Sequence, residues 1–347
     1  MEETLRIRID DPSLIGESRR LVLPMCKILG FSEPDTSRIL LVVTEMATNL
    51  SKHTPKGELL IRSLECFGIH GLDILSIDKG PGITDVARGL QDGFSTAGSP
   101  GTGLGAIYRN SSEFDIYSEN GKGTVVMSRH WSGTFREGLP PRPLEFGGIC
   151  IPIKGEHICG DGWDAEQSEQ RSLILVADGT GHGVAAAEAS RAAISLFRKN
   201  ISKSPAGLIK QIHEGLRNTR GAAVSIAEVD HANSIVRYAG IGNIAGLIVT
   251  SKIAKNTVSH NGIAGLNARK IQEFSYPWND KSILIMNSDG IRSHLNLADH
   301  PLLANRHPSV IAAVLFRDYA RGNDDTTVVV AKKQHRAPPF KWISRIL

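Results

Sequence analysis

Cysteine is scarce: the 347-residue chain has four, Cys26, Cys66, Cys150 and Cys159, with no Cys-x-x-Cys pair. That spacing argues against a zinc site and a disulfide framework, and small buried thiols in a reduced cytoplasm are the reading that follows. No uninterrupted apolar run approaches the ~20 residues that span a bilayer, so no transmembrane segment is expected. The start, Met1-Glu-Glu-Thr-Leu-Arg-Ile-Arg-Ile-Asp10, lacks the basic-then-apolar pattern of a secretion signal, which makes the cytoplasm the expected location. Charge of one sign is also missing. The net charge is +4, and acids and bases intermingle through the first 330 residues. Without a basic patch, nucleic acid is not an expected partner. There is no internal repeat and no low-complexity tract.

What remains is globular composition, with 41% hydrophobic and 22% charged residues. The length is too great for one ordinary core and points to two domains. The clearest seam is Gly133-Thr-Phe-Arg-Glu-Gly-Leu-Pro-Pro-Arg-Pro143, whose three prolines and two glycines resist both helix and central strand. The expected division is a first domain over 1–133, a linker over 134–143, a second domain over 144–333 and a basic tail over 334–347. In the tail Phe340, Trp342, Ile343 and Leu347 interleave with basic residues, which fits a frayed or docked end, or a segment that touches a membrane surface or a partner.

Before the seam, Leu5–Ile9 alternates like a strand, and Asp11-Pro12 suits a helix start with Asp as N-cap. Asp35 is expected to cap a second helix, in which Ile39, Val43, Met46 and Leu50 form a buried stripe. Strands are expected at 58–65, 72–78, 114–118 and 124–129, which gives helices on one face of a mostly antiparallel sheet. After the seam come strands at 148–153, 172–177, 222–229, 235–239, 245–250, 282–286 and 326–331. Helices near 184–199 and 206–218 interrupt them. Two packed sheets with helices outside is the expected arrangement, so the fold class is α+β throughout.

Three elements of the first half bear on chemistry. Glu45 and Asn49 are four apart on the second helix and share a face beside the buried stripe, where a polar pair needs partners or a ligand. Asp78-Lys-Gly-Pro-Gly-Ile83 ends an apolar strand. Its carboxylate can accept from an adenine amino group, and Gly80 and Gly82 let backbone approach a base. Gly101-Thr-Gly-Leu-Gly-Ala106 then opens a helical segment whose N–H groups favour phosphate. A lone Glu-x-x-x-Asn is ordinarily a solvated pair. The glycine run matches a dinucleotide fingerprint, but it follows the loop Phe94-Ser-Thr-Ala-Gly-Ser-Pro100 instead of a strand, so that reading fails.

In this order the motifs resemble the N, G1 and G2 boxes of the GHKL (Bergerat) ATP-binding fold. With Gln91-Asp-Gly-Phe-Ser-Thr96, Glu113-Phe-Asp-Ile116 and Gly121-Lys-Gly-Thr124, the stretch from about 4 to 131 is similar to the RsbT-like stressosome switch kinases. The resemblance implies an α/β sandwich that transfers phosphate from ATP to serine or threonine. Asn49 would hold Mg²⁺ against the phosphates, Glu45 would act as general base or orient the hydroxyl, and Asp78 would read adenine. Gly101, Gly103, Gly105 and Thr124 would cover the nucleotide. Phosphoryl transfer asks mainly for positioning, charge neutralisation and one base, so these residue types suffice. No phosphoacceptor histidine box is present, which excludes histidine autophosphorylation. Lys79 stands where the wider fold often has Asn, which leaves the base contacts open.

The second half carries Gly160-Asp161-Gly162, Asp178-Gly-Thr-Gly-His182-Gly183, Ser288-Asp289-Gly290 and Asn323-Asp324-Asp325-Thr326, with apolar strands leading into three and out of the fourth. One Asp-Gly is ordinary turn chemistry. Four that converge would repel one another and need cations, and carboxylate oxygens suit Mg²⁺ or Mn²⁺. Two such ions can activate water and clamp a phosphoryl group, with no covalent nucleophile. No Cys-x5-Arg signature of a thiol phosphatase occurs.

With Gly240-Ile-Gly-Asn243 and Asp324-Asp-Thr-Thr327, these motifs resemble the PP2C-like phosphatases of the SpoIIE/RsbX branch over about 145–331, which implies an αββα sandwich. By that match Asp178 would bridge two Mn²⁺ or Mg²⁺ ions, Gly179 would offer its carbonyl, and Asp161, Asp289 and Asp324 would complete the shell. Asp324 is preferred to Asp325 because the first acid of the pair aligns with the family ligand. His182 would donate a proton to the leaving group or brace its loop. No arginine occupies a phosphate-gripping motif, so how phosphate is held stays open. The fusion implies opposed control of one phosphate on a STAS-domain regulator, of stressosome scaffold or antagonist type, with release to a downstream activator as a further possibility. The alternative is an ATP-binding module that sequesters its partner as an anti-sigma factor does, fused to an active phosphatase.

Overall fold

The structure is a computed structural model and describes residues 4–54, 56–90, 103–136, 139–140, 142–250 and 253–333. The Gln91–Thr96 motif, Gly101, part of the expected linker and the basic tail lie outside them. The chain forms two compact units. One holds the chain up to Leu139 together with Leu297–Arg317, and the other holds Pro140–Asn296 and Asp318–His335. The inclusion of Leu297–Arg317 in the N-terminal unit departs from a simple division at the proline-rich seam.

In the N-terminal unit β1 (Leu5–Ile9), α1 (Leu14–Ile28), α2 (Glu33–His53), β2 (Gly57–Cys66), β3 (Ile69–Asp78), α3 (Val86–Gly89), α4 (Gly103–Asn110), β4 (Glu113–Glu119) and β5 (Gly123–Trp131) follow in order. The strands make an antiparallel sheet of order β1-β2-β3-β5-β4. Period two sends Leu59, Ile61, Leu72, Ile74, Phe114 and Ile116 to one face, where they pack with Ile39, Val43, Met46 and Leu50 of α2. This is the GHKL-type α/β sandwich. Both expected helix starts move. Ser32, and not Asp35, caps α2: its hydroxyl accepts from the Asp35 N–H at 3.2 Å and donates to the Asp35 carboxylate at 2.6 Å. Helix α1 begins at Leu14, and Asp11 instead accepts from the Ser13 N–H in the preceding turn, at 2.8 Å.

The C-terminal unit begins with β6 (Leu144–Ile151), β7 (Asp161–Gln167), β8 (Arg171–Gly179), α5 (Val184–Lys199) and α6 (Pro205–Gly215). It continues with β9 (Ala222–Asp230), β10 (Ile235–Ile241), β11 (Ala245–Val249), β12 (Ala254–Asn256), β13 (Phe274–Pro277) and β14 (Ile283–Asn287). With β15 (Thr326–Lys333) these form two five-stranded sheets, β13-β10-β9-β8-β7 and β12-β11-β14-β15-β6. Strand β8 shows how they pack. Ile174 and Val176 face the other sheet's Leu284, Met286 and Val329, while Leu173, Leu175 and Ala177 face Ala193 and Phe197 of α5. This is the PP2C-like sandwich.

The last helix, α7 (Pro308–Tyr319), is absent from the sequence reading. Pro308 to Arg317 are all buried, and a helix apolar around its whole circumference gives no one-sided stripe to read. Its segment meets the sheet face of the N-terminal unit opposite α2. There Asp73, Asp115 and Arg129 project by period two, at 2%, 1% and 8% exposure. Asp115 accepts from the His307 N–H at 2.6 Å, and Asp73 accepts from Ser309.

Candidate active sites

In the N-terminal unit α2 carries Glu45 and Asn49 half-buried on the face beside its apolar stripe. The start of α4 comes directly against them. A Cβ on Gly103 would lie 3.1 Å from Glu45 Oε2 and 3.3 Å from Asn49 Oδ1, so glycine there is a matter of space. Gly105 is buried two residues further into α4.

Asp78, the last residue of β3, accepts on Oδ1 from the N–H of Gly80 at 2.7 Å and of Thr124 at 3.2 Å. Burial raises its carboxyl above the ordinary range, and the two backbone N–H groups oppose that rise. Gly82 takes a left-handed φ of 77°, and any side chain there would strike the Glu119 carbonyl. Thr124 acts through its neighbours: its hydroxyl lies 2.8 Å from that of Ser118, which accepts from the Ile83 N–H at 2.7 Å. Ser118 thus fastens the Gly80–Gly82 turn to the sheet, a role that no motif in the sequence marks.

In the C-terminal unit the four aspartates arrive from separate strands. Asp161 opens β7 and stands opposite Asp178 in the β7–β8 register. No apolar strand leads directly into it, since β6 ends at Ile151. Asp289 follows β14, and Asp324 precedes β15. Asp178, Asp289 and Asp324 line a cleft of about 570 Å³, and Asp161 is buried beside it. Burial raises the Asp178 carboxyl well above its ordinary range, and repulsion from Asp161, Asp289 and Asp324 adds to the rise. Asp161 is raised by burial too, despite the Ser288 hydroxyl that donates to it at 2.6 Å. Asp289 is raised by burial and by Asp324, and it accepts from the Asn243 side-chain amide at 2.7 Å.

Carboxylates raised by burial and by one another's charge gain from a nearby cation, and their oxygens suit a hard divalent ion. Among the described residues no three His, Cys, Asp or Glu side chains already close around a single point. Asp178 nonetheless feels the charge of Asp161, Asp289 and Asp324. Asp325 has other work. Its two oxygens accept from the N–H groups of Ile153 at 2.7 Å and Gly160 at 2.8 Å, holding the loop ahead of Asp161. Asp324 is left as the member of the pair that faces the cleft.

His182 lines the cleft, and its Nδ1 lies 2.9 Å from Glu156 Oε1. That contact orients the ring and is compatible with either role expected for it. Sequence reasoning missed Ser288, Asn243 and Glu156 as partners of the site. Asn243 and Ser288 each had a signal, since one ends the Gly-x-Gly-Asn motif and the other opens Ser-Asp-Gly, while Glu156 had none.

Known proteins resemble each unit separately. Residues 168–334 match the family model of Stage II sporulation protein E (SpoIIE). Over 131 residues the chain is 35% identical to the serine/threonine-protein kinase RsbT of Bacillus subtilis (strain 168), which covers 38% of this chain and 98% of that protein. Over 148 residues it is 26% identical to the phosphoserine phosphatase RsbX of the same organism, 41% of this chain and 74% of that protein. A solved structure described as "The bacterial stressosome: a modular system that has been adapted to control secondary messenger signaling" is 28% identical, with a TM-score of 0.52. It covers 55% of this chain and all of its own. Among the described residues no helix is long and apolar enough to cross a membrane.

Proposed function

We propose, from the premise that this chain belongs through its N-terminal unit to the family of the RsbT serine/threonine-protein kinase, that it is a bifunctional partner-switching regulator. The N-terminal unit would phosphorylate serine or threonine of a STAS-domain protein, and the C-terminal unit would hydrolyse the same kind of phosphoester. One observation supports this reading above the others. In each unit, motif residues distant in sequence meet: Gly103 against Glu45 and Asn49, and Asp161 opposite Asp178.

ATP would be the phosphoryl donor, and its Mg²⁺ would supply neutralisation of the phosphate charge. Asn49 would hold that ion. Glu45 would take the proton of the attacking hydroxyl or orient it, from a helix whose buried stripe fixes its position. Asp78 is suited to accept from the adenine amino group on Oδ2, because Oδ1 is pinned by Gly80 and Thr124. In the other unit Asp161, Asp178, Asp289 and Asp324, with the Gly179 carbonyl, would hold two Mn²⁺ or Mg²⁺ ions, which lower the pKa of water and balance charge on the phosphoryl group. Asn243 and Ser288 would orient Asp289 and Asp161. His182, braced by Glu156, would protonate the leaving alkoxide.

The test uses the whole chain, labelled ATP and candidate STAS-domain proteins. Label should appear on serine or threonine of one of them and disappear when Mn²⁺ is added in excess. A partner that binds yet never acquires label would leave sequestration as the function of the N-terminal unit. Label that persists with Mn²⁺ would remove the phosphatase half.

A further inference from the structure

The phosphatase-type cleft has an electrostatic problem that its own lining does not solve. Asp178, Asp289 and Asp324 line it and Asp161 lies beside it, so a phosphomonoester dianion enters a cleft walled by acids. Two divalent cations would balance four carboxylates and leave no surplus positive charge for the incoming phosphate. A cation of the protein is needed, and it must not already be committed to an acid.

Two arginines stand near enough to consider. Arg321 is exposed, and its backbone N–H donates to the Gly290 carbonyl at 2.8 Å, next to Asp289. Arg220 is exposed as well, with no hydrogen bond or ion pair among the described residues, and what sets it apart is where its guanidinium stands. A Cβ on Gly181, in the cleft wall, would meet Arg220 Nη1 at 3.4 Å.

The backbone of Arg220 is also built into the site. Thr219 Oγ1 accepts from the Gly221 N–H at 3.0 Å, and the Gly221 carbonyl accepts from the Thr180 N–H at 3.0 Å. Gly221 has a φ of 76°, with the Ala264 carbonyl where a Cβ would go, so the turn that carries Arg220 requires glycine at its next position. The next residue, Ala222, pairs with Gly179 in the β8–β9 register. The arginine is therefore tied through its neighbours to the loop from Asp178 to Gly183.

We infer that Arg220 is the phosphate-binding arginine of this site, its guanidinium fork taking two oxygens of the substrate phosphoester. A planar fork matches phosphate geometry where a point charge does not. This inference rests on the phosphatase reading, and it supplies the phosphate contact that the sequence motifs lack.

The test compares the full chain with Arg220→Ala and Arg220→Lys. Binding of inorganic phosphate is measured by titration calorimetry with Mg²⁺, Mg²⁺ binding is measured alone, and hydrolysis of p-nitrophenyl phosphate is followed. In Arg220→Ala the phosphate Kd and the KM should both rise about tenfold or more, with kcat within about twofold of wild type and Mg²⁺ affinity unchanged. Arg220→Lys should recover part of the loss. Equal phosphate affinity in Arg220→Ala and wild type would overturn the inference, as would a fall in Mg²⁺ affinity matching the loss of phosphate binding in both variants. Hydrolysis by wild type that Arg220→Ala equals would leave the phosphatase reading standing alone. Arg220-dependent phosphate binding without any hydrolysis would do the reverse.

Discussion

Ser309 donates a 2.9 Å hydrogen bond to Oδ2 of Asp73 from 236 positions later in the chain. Asp73 also takes Arg129 through Nε and Nη2, both at 3.2 Å, while Arg62 stands 3.6 Å away. Burial alone would raise the Asp73 carboxyl, but Arg129 and then Arg62 more than offset it and hold it at about 2. The segment that supplies Ser309 falls in sequence between Asp289 and Asp324. A stretch of the phosphatase-like half thus completes the buried network of the kinase-like unit.

Removing the carboxylate should cost far more than removing the hydroxyl. Asp73→Ala takes from Arg129 and Arg62 the buried acid they share, although Arg129 keeps Glu113 at 3.2 Å, and a loss of about 3–5 kcal/mol is expected. Ser309→Ala forfeits one hydrogen bond to a charge, about 1–3 kcal/mol. Urea unfolding of the full chain measures both, and costs below about 0.5 kcal/mol for both would show that the network contributes nothing net.

Much of this was legible in the sequence, and the reasons for the rest are physical. The Ile39–Leu50 stripe and the alternation around Leu59 and Ile61 report a single buried face, so α2 and the sheet follow from spacing. Asp73, Asp115 and Arg129 alternate with apolar residues in the same way and read as a solvent face. They are buried because a distant segment covers them, which local pattern does not record. The meeting of Gly103 with Glu45 is likewise long-range. The choice of Ser32 over Asp35 as cap was available, since Ser-x-x-Asp is a capping pattern in its own right.

Stability of the N-terminal unit should fall in mild acid because of His130. The ring is 5% exposed, and burial depresses its pKa to about 4 from 6.5. A depressed folded value means that the contribution is complete above about pH 6.5 and is lost as pH falls toward 4, because the unfolded chain takes up the proton first. The loss reaches about 3 kcal/mol. Unfolding free energies measured between pH 7 and 4 should slope more steeply in wild type than in His130→Gln, and parallel slopes would refute the assignment.

The raised carboxyls of Asp178 and Asp161 have the opposite sign. Their folded pKa values lie above the unfolded ones, so without metal the C-terminal unit loses stability as pH rises through them. Cations bind the ionised form, and their stabilising effect should grow with pH. Thermal melts should show a larger upward shift with Mn²⁺ at pH 8.5 than at pH 6. Asp178→Asn should abolish both the shift and metal-dependent hydrolysis while raising the metal-free melting temperature at the higher pH. A shift of equal size at both pH values, or hydrolysis in excess chelator, would dismiss the metal set.

The kinase-type site can be separated from the phosphatase-type site by three substitutions on facing elements. Asn49→Ala removes the expected Mg²⁺ ligand and should abolish phosphoryl transfer while hydrolysis of p-nitrophenyl phosphate continues. Glu45→Gln keeps the shape but loses the base, so ATP should still bind while transfer falls about 10²–10⁴-fold. Gly103→Ala tests the geometry itself. The added methyl would stand 3.1 Å from Glu45 Oε2 and 3.3 Å from Asn49 Oδ1, tighter than ordinary contact, and both side chains must yield. Transfer should therefore drop in Gly103→Ala although neither polar residue has changed. If Gly103→Ala transfers phosphate at the wild-type rate, the approach of α4 to α2 has no bearing on catalysis. If Asn49→Ala also silences hydrolysis, the two activities are coupled, and Leu297–Arg317, anchored at Asp73 and running on to Asp324, is the covalent route to examine first.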